Sequence, residues 1–288
     1  MQLYEDYVRV PGAHLWTVRQ GEGPAVVCCH GGPGLWDYLG PVAAMLDDQA
    51  MVYRYDQRAC GRSTGGPPYT VATAIADLEA LRQYWRIPHW VVLGHSWGAT
   101  LALAYAAAYP RATRAVVYIS GTGVDPSWHV VYRANRAARL TSATRAELAR
   151  LEGQRETAVR SERQAIERAY CLHAWSTDFA DHTRAYELAQ QLLVEDFLPN
   201  YVVNSDLGND ADRYAEGGEL AAQLPALHMP MLVIHGAADP RPTWAAEQVA
   251  AVVPNARLVI LPDCGHLPWI EQPDAFQALL KQFIRNTC

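Results

Sequence analysis

Ser96 stands in Gly94-His95-Ser96-Trp97-Gly98, a Gly-x-Ser-x-Gly pentapeptide whose serine could serve as a nucleophile. A serine hydroxyl attacks a carbonyl carbon only when an adjacent base takes its proton, and that base must be held by an acid. Further along the chain are Asp239, in Gly236-Ala237-Ala238-Asp239, and His266, in Asp263-Cys264-Gly265-His266. The chemistry of such a set is acyl transfer, in which the serine is acylated and water then releases the acyl group. The intermediate carries an oxyanion that needs backbone N–H groups aimed at it, and glycines let the backbone come close enough. His30-Gly31-Gly32-Pro33-Gly34 has that composition, and the expected donors are Gly32 and Trp97, the residue after the nucleophile. Gly32-Pro33 is a candidate cis peptide bond. Residue type alone does not choose the base, since the chain has ten histidines and His95 adjoins the serine. A neighbour on such an elbow points away from the serine hydroxyl, so His95 reads as structural and His266 as the base. Asp263 rivals Asp239 as the acid but could instead cap a turn, and the reading takes Asp239.

For these residues to meet, each must end a strand on the same edge of one sheet. Residues 89–93 form a short β-branched run before the elbow. After it, Ala99 to Tyr109 is rich in helix formers and is stopped by Pro110. Pro24 to Cys29 is a wholly apolar strand leading into the glycine loop, Met231 to Gly236 precedes Asp239, and Ala256 to Ile260 precedes His266. Ser, Asp, His is the chain order expected of a nucleophile elbow on a parallel sheet. A hairpin over residues 7–20, strands at Met51–Tyr55 and Ala115–Ile119, and a helix from Val71 to Trp85 complete the first half. A helix near Trp244 to Val253 and another from Pro273 to Arg285 fill the end. Apolar strands alternating with helices predict a mostly parallel sheet covered on both faces. From about Asp125 to Leu224 no strand pattern occurs, and arginine-rich amphipathic helices are expected over residues 127–193, for example Ala146 to Arg168. The expected division is a core of residues 1–124 and 225–288, with a helical cap of residues 125–224 inserted after the sixth strand.

The 288 residues are half hydrophobic, enough for a sizeable core, and a formal charge of −6 argues against a nucleic-acid partner. No apolar run is long enough to span a membrane, and the amino terminus lacks a signal-peptide pattern, so a soluble cytoplasmic protein is expected. Cys28, Cys29, Cys60, Cys171, Cys264 and Cys288 lack zinc-ligand spacing and read as reduced, mostly buried thiols, with no metal expected.

Three segments together resemble the proline iminopeptidase family of α/β-hydrolases. They are His30-Gly31-Gly32-Pro33-Gly34, Asp56-Gln57-Arg58-Ala59-Cys60-Gly61-Arg62-Ser63, and Gly94-His95-Ser96-Trp97-Gly98-Ala99-Thr100-Leu101-Ala102-Leu103, within a match over roughly residues 25–120 and 230–285. The resemblance implies an α/β-hydrolase fold and an enzyme that removes an amino-terminal residue from a peptide or amide without a cofactor. It also implies Ser96, Asp239 and His266 as the triad, and Asp56 to Ser63 as a loop supporting the oxyanion loop. Peptidases of this family hold the substrate's α-amino group with glutamates. Here Pro240 and Arg241 follow Asp239, and Leu198-Pro199-Asn200-Tyr201 carries no glutamate. The acids that remain are Glu195, Asp196, Asp206, Asp210, Asp212, Glu216 and Glu219, set against the single base Arg213. Glu216, beside Gly217-Gly218, is the first candidate to hold a substrate ammonium group, and Asp206 the second. An ester or lactone hydrolase with the same machinery is the alternative. A non-catalytic receptor or scaffold is the other, and the intact triad and glycine loop weigh against it. Dehalogenase or epoxide hydrolase chemistry would need a carboxylate at position 96.

Overall fold

The computed structural model describes residues 2–194 and 197–288. The first half runs β1 (Tyr4–Val10), β2 (Ala13–Gln20), β3 (Ala25–Cys29), α1 (Gly40–Ala44), β4 (Met51–Tyr55), α2 (Val71–Tyr84), β5 (Trp90–His95), α3 (Trp97–Ala108) and β6 (Thr113–Ile119). These strands join one eight-stranded sheet in the order β1-β2-β4-β3-β5-β6-β7-β8, where β7 is Met231–Gly236 and β8 is Ala256–Leu261. The β1–β2 and β2–β4 pairings are antiparallel, and every pairing from β4 to β8 is parallel. Side chains alternate between two cores, as a pleated strand requires. Val26, Cys28, Val91 and Leu93 pack on one face, with Val42 of α1 behind them. Val27, Cys29 and Val92 pack on the other, with Leu78 of α2 and Leu101 of α3.

Between β6 and β7 the described residues hold no strand but six helices: α4 (Trp128–Arg139), α5 (Ser142–Thr157), α6 (Arg160–Trp175), α7 (Ala185–Gln190), α8 (Tyr201–Glu216) and α9 (Glu219–Gln223). The span from Ala146 to Arg168 is not one rod, since Ala158 and Val159 are extended and α6 folds back on α5. The reversal places Arg155 Nε 2.9 Å from Glu167 Oε1, a buried carboxylate that also accepts from the Tyr201 hydroxyl at 2.9 Å. In a straight helix the two residues would lie about 18 Å apart. The chain closes with α10 (Thr243–Val252) between β7 and β8, then α11 (Pro268–Glu271) and α12 (Pro273–Thr287). Phe276, Leu280 and Ile284 of α12 join the core that holds Val26.

Candidate active site

β5 ends at His95 and α3 starts at Trp97, so Ser96 alone makes the turn, with φ 56° and ψ −123°. A side-chain-bearing residue held there costs about 1–3 kcal/mol and persists only when its surroundings enforce it. Here the Ser96 N–H is tied to Ile119 O at 2.9 Å. A Cβ on Gly94 would lie 2.0 Å from Gly98 O, and one on Gly98 would lie 2.0 Å from Cys29 O, so only glycines let helix and strand pack this closely. The first N–H groups of α3, Trp97 among them, have no acceptor within the helix and form its positive end.

Asp239 follows β7 and His266 follows β8, and the two meet. His266 Nδ1 donates to Asp239 Oδ2 at 2.6 Å, with both residues buried. Burial alone would raise the Asp239 carboxyl, but the adjacent His266, Arg241 and His235 hold it well below the usual carboxylate range. The remaining acceptor, Oδ1, takes the Arg241 N–H at 2.8 Å. Asp263, the rival acid, is exposed. The His266 backbone is clamped at both ends, by N–H to Asp178 O at 2.7 Å and by His266 O to His95 Nε2 at 2.9 Å. Because Nε2 of His95 faces a carbonyl it must carry the proton, so Nδ1 accepts from the Tyr38 hydroxyl at 2.7 Å. Tyr38 in turn accepts the Gly31 N–H at 2.8 Å. Burial holds His95 neutral, its pKa well below the ordinary histidine value.

The glycine loop presses against the elbow, since a Cβ on Gly31 would lie 2.8 Å from Ser96 Cβ. Gly32 has φ 125°, and Gly32–Pro33 is cis. Asp56 to Ser63 supports this loop. Gln57 bonds His30 twice, through N–H to Nε2 at 3.0 Å and Nε2 to His30 O at 2.7 Å, and its carbonyl accepts from Trp97 Nε1 at 3.0 Å. Asp56, fully buried, accepts from Asp37 N–H and from the Arg62 backbone and guanidinium at 2.6–2.7 Å. From the helical region, Asn204 Nδ2 bonds Pro33 O at 2.7 Å and Asn200 N–H bonds Gly34 O at 2.8 Å. Tyr38, Asn200 and Asn204 are supports that the motifs do not mark.

The sequence profile of the alpha/beta hydrolase fold matches residues 24–273. The chain belongs to the alpha/beta hydrolase fold family. The similarity to proline iminopeptidases extends beyond the motifs: that of Heyndrickxia coagulans is 25% identical over 298 residues, spanning 98% of this chain and 99% of the relative. Among solved structures, a proline iminopeptidase of Mycobacterium smegmatis superposes with TM-score 0.70 at 21% identity, over 99% of this chain and 98% of the other. An enol-lactonase from Burkholderia xenovorans LB400 also superposes with TM-score 0.70, at 20% identity over 97% of this chain and all of the other. At these identities the superpositions speak for the fold alone.

Two cavities of the hydrolase meet at Ser96. One, of about 280 Å³, is lined by Ser96, His266, Tyr132, Arg136, Asp178 and Arg241. The other, of about 440 Å³, also touches Ser96 and Arg241 and carries Asp125, Trp128, His129 and Asp212. Glu216 and Asp206 are exposed on α8 and line neither cavity. Gly217 and Gly218 turn the chain after α8 into α9 rather than toward Ser96. Glu195 and Asp196 lie outside the described residues. Arg241, two residues after Asp239, is fixed by Asp178 Oδ1 at 2.5 Å and by the Tyr132 ring at 4.5 Å.

Proposed function

We propose that the protein is a serine hydrolase working through an acyl-enzyme, with Ser96 as nucleophile, His266 as base and Asp239 as the acid that orients the base. The observation that carries this reading is the 2.6 Å bond from His266 to a buried, ionised Asp239, on a histidine that lines the same cavity as the strained Ser96. With Nδ1 committed to Asp239, Nε2 is the basic nitrogen, which takes the Ser96 proton and returns it to the leaving amine or alcohol. Gly31 is spent on Tyr38, so within the glycine loop the Gly32 N–H, which has no partner among the described residues, is the donor available to the site. Together with the Trp97 N–H it would hold the oxyanion. Water then enters, His266 acts again as base, and the acyl group leaves.

The proline iminopeptidase relatives favour an aminoacyl amide or peptide with a free amino group as substrate. In this cleft the ammonium would meet Asp125, or Asp212, whose Oδ1 already bonds His129 Nε2 at 2.9 Å, rather than Glu216 or Asp206. The alternative, a carboxylesterase or lactonase, is favoured by Asp178, the acid lining the smaller cavity, being already paired with Arg241. A panel of free aminoacyl-naphthylamides, their N-acetylated forms and simple acyl nitrophenyl esters separates the two. The aminopeptidase reading expects free amines to be cleaved at least tenfold faster than blocked ones. Equal rates on both, with faster esters, would establish the alternative.

A further inference from the structure

Two arginines of α4, Arg136 and Arg139, and Arg241 of the loop after β7 lie near the strand-end loops of the site, and two of the three are spent on structure. Arg139 donates to Thr177 O at 2.6 Å and to Ala238 O, stapling the strand-end loop before Asp239. Arg241 is held by Asp178 and Tyr132. Arg136 differs. It lies one turn beyond Tyr132 on α4, and both line the smaller cavity with Ser96 and His266. Its Nε is shut off from solvent with no hydrogen-bond partner, and among the described residues no carboxylate pairs with its guanidinium. Its terminal nitrogens are not shut off in this way and have no hydrogen-bond partner among the described residues, so they are the donors that can meet an acceptor in the cavity that Arg136 lines.

The surroundings say which acceptor fits. Tyr132, Arg136 and Tyr170 also line an outer groove that carries Arg133 and Arg145, with exposed Glu152 as its acid. The groove and the cavity share this wall, and the arginines of the groove outnumber its acid, which favours anions beside the cavity. We propose, resting on the serine hydrolase reading, that Arg136 receives a carboxylate of the substrate, so that the preferred substrate is an ester or amide bearing a free carboxylate on the part lodged between α4 and Ser96. A planar guanidinium binds a carboxylate through paired hydrogen bonds, a contact that a neutral analogue cannot make.

The test compares the mono-nitrophenyl ester of glutarate, which keeps one free carboxylate, with its methyl ester, which does not. Wild type should show a kcat/KM ratio, anionic over neutral, of about ten or more, the scale expected of a hydrogen-bonded charge. Arg136→Gln should lower that ratio at least tenfold, mostly through KM, and Arg136→Lys should restore part of it. A wild-type ratio near one, or a ratio that survives Arg136→Gln, would overturn the proposal. Binding keeps the question open to decision even without turnover. Glutarate should bind Ser96→Ala protein at least tenfold more tightly than Ser96→Ala/Arg136→Gln protein by calorimetry, and equal binding would overturn the proposal. Fluorophosphonate labelling of the same wild-type preparation reports on the hydrolase reading separately, since an enzyme that labels but shows no anion preference fails only here.

Discussion

Asp239 and Asp263 both precede His266 in the sequence and differ in burial and in what they bond. Asp239 is buried and shares 2.6 Å with His266 Nδ1, while Asp263 is exposed in a turn with φ 49°. Removing the charge that fixes the tautomer of the base costs about 10⁴-fold in kcat where such triads have been dissected. Asp239→Asn should therefore lose activity on that scale, with Asp263→Asn within a few-fold of wild type. Steady-state kinetics on one good substrate checks this, and the reverse ranking would show that the acid has been misassigned. The proximity of Ser96, Asp239 and His266 was legible in the sequence because each lies within five residues of the end of an apolar strand. Arg136 was not. It lies three residues from Arg139 on one helix, and only the fold separates the arginine that staples a loop from the one that faces the cavity. Tyr38 was equally hidden, because its partner His95 lies 57 residues away.

At the scale of elements, six strands could be read from apolar runs, β1 and β2 from the hairpin around Pro11-Gly12, and the strandless stretch after β6 from the loss of that pattern. The reversal between α5 and α6 could not, because neither glycine nor proline marks the break at Ala158 and Val159. The parallel strands share a further property. A buried histidine stands just past β3 (His30), at the last residue of β5 (His95) and near the end of β7 (His235). Burial pushes all three below the ordinary histidine value near 6.5. Below about pH 6.5 the unfolded chain takes protons at these sites that the folded chain excludes, so stability is full above that pH and falls beneath it. Each group can contribute up to about 1.4 kcal/mol per pH unit. The urea midpoint should drop clearly between pH 7.5 and pH 5.5, a window that leaves ordinary carboxylates ionised. An unchanged midpoint would mean that these histidines are not held neutral.

For the whole molecule, the sheet brings Ser96, His266, Asp239 and the glycine loop to one edge, and the helices after β6 close two cavities over them. No described helix is long and apolar enough to cross a membrane. The layered core was predictable because the sheet's two faces follow a period of two, whereas a helix's apolar stripe says that it packs without saying on what. The chain has eight serines, of which Ser96 is the proposed nucleophile. Ser63, for instance, is buried and bonded to Asp56 O at 2.6 Å, which makes it a structural counterpart within the same molecule. The most direct measurement is to treat the folded protein with a fluorophosphonate and map the adduct by mass spectrometry. A single adduct on Ser96, with no labelling of Ser96→Ala protein, is the predicted result; labelling at any other serine, or none at all in active protein, would contradict it.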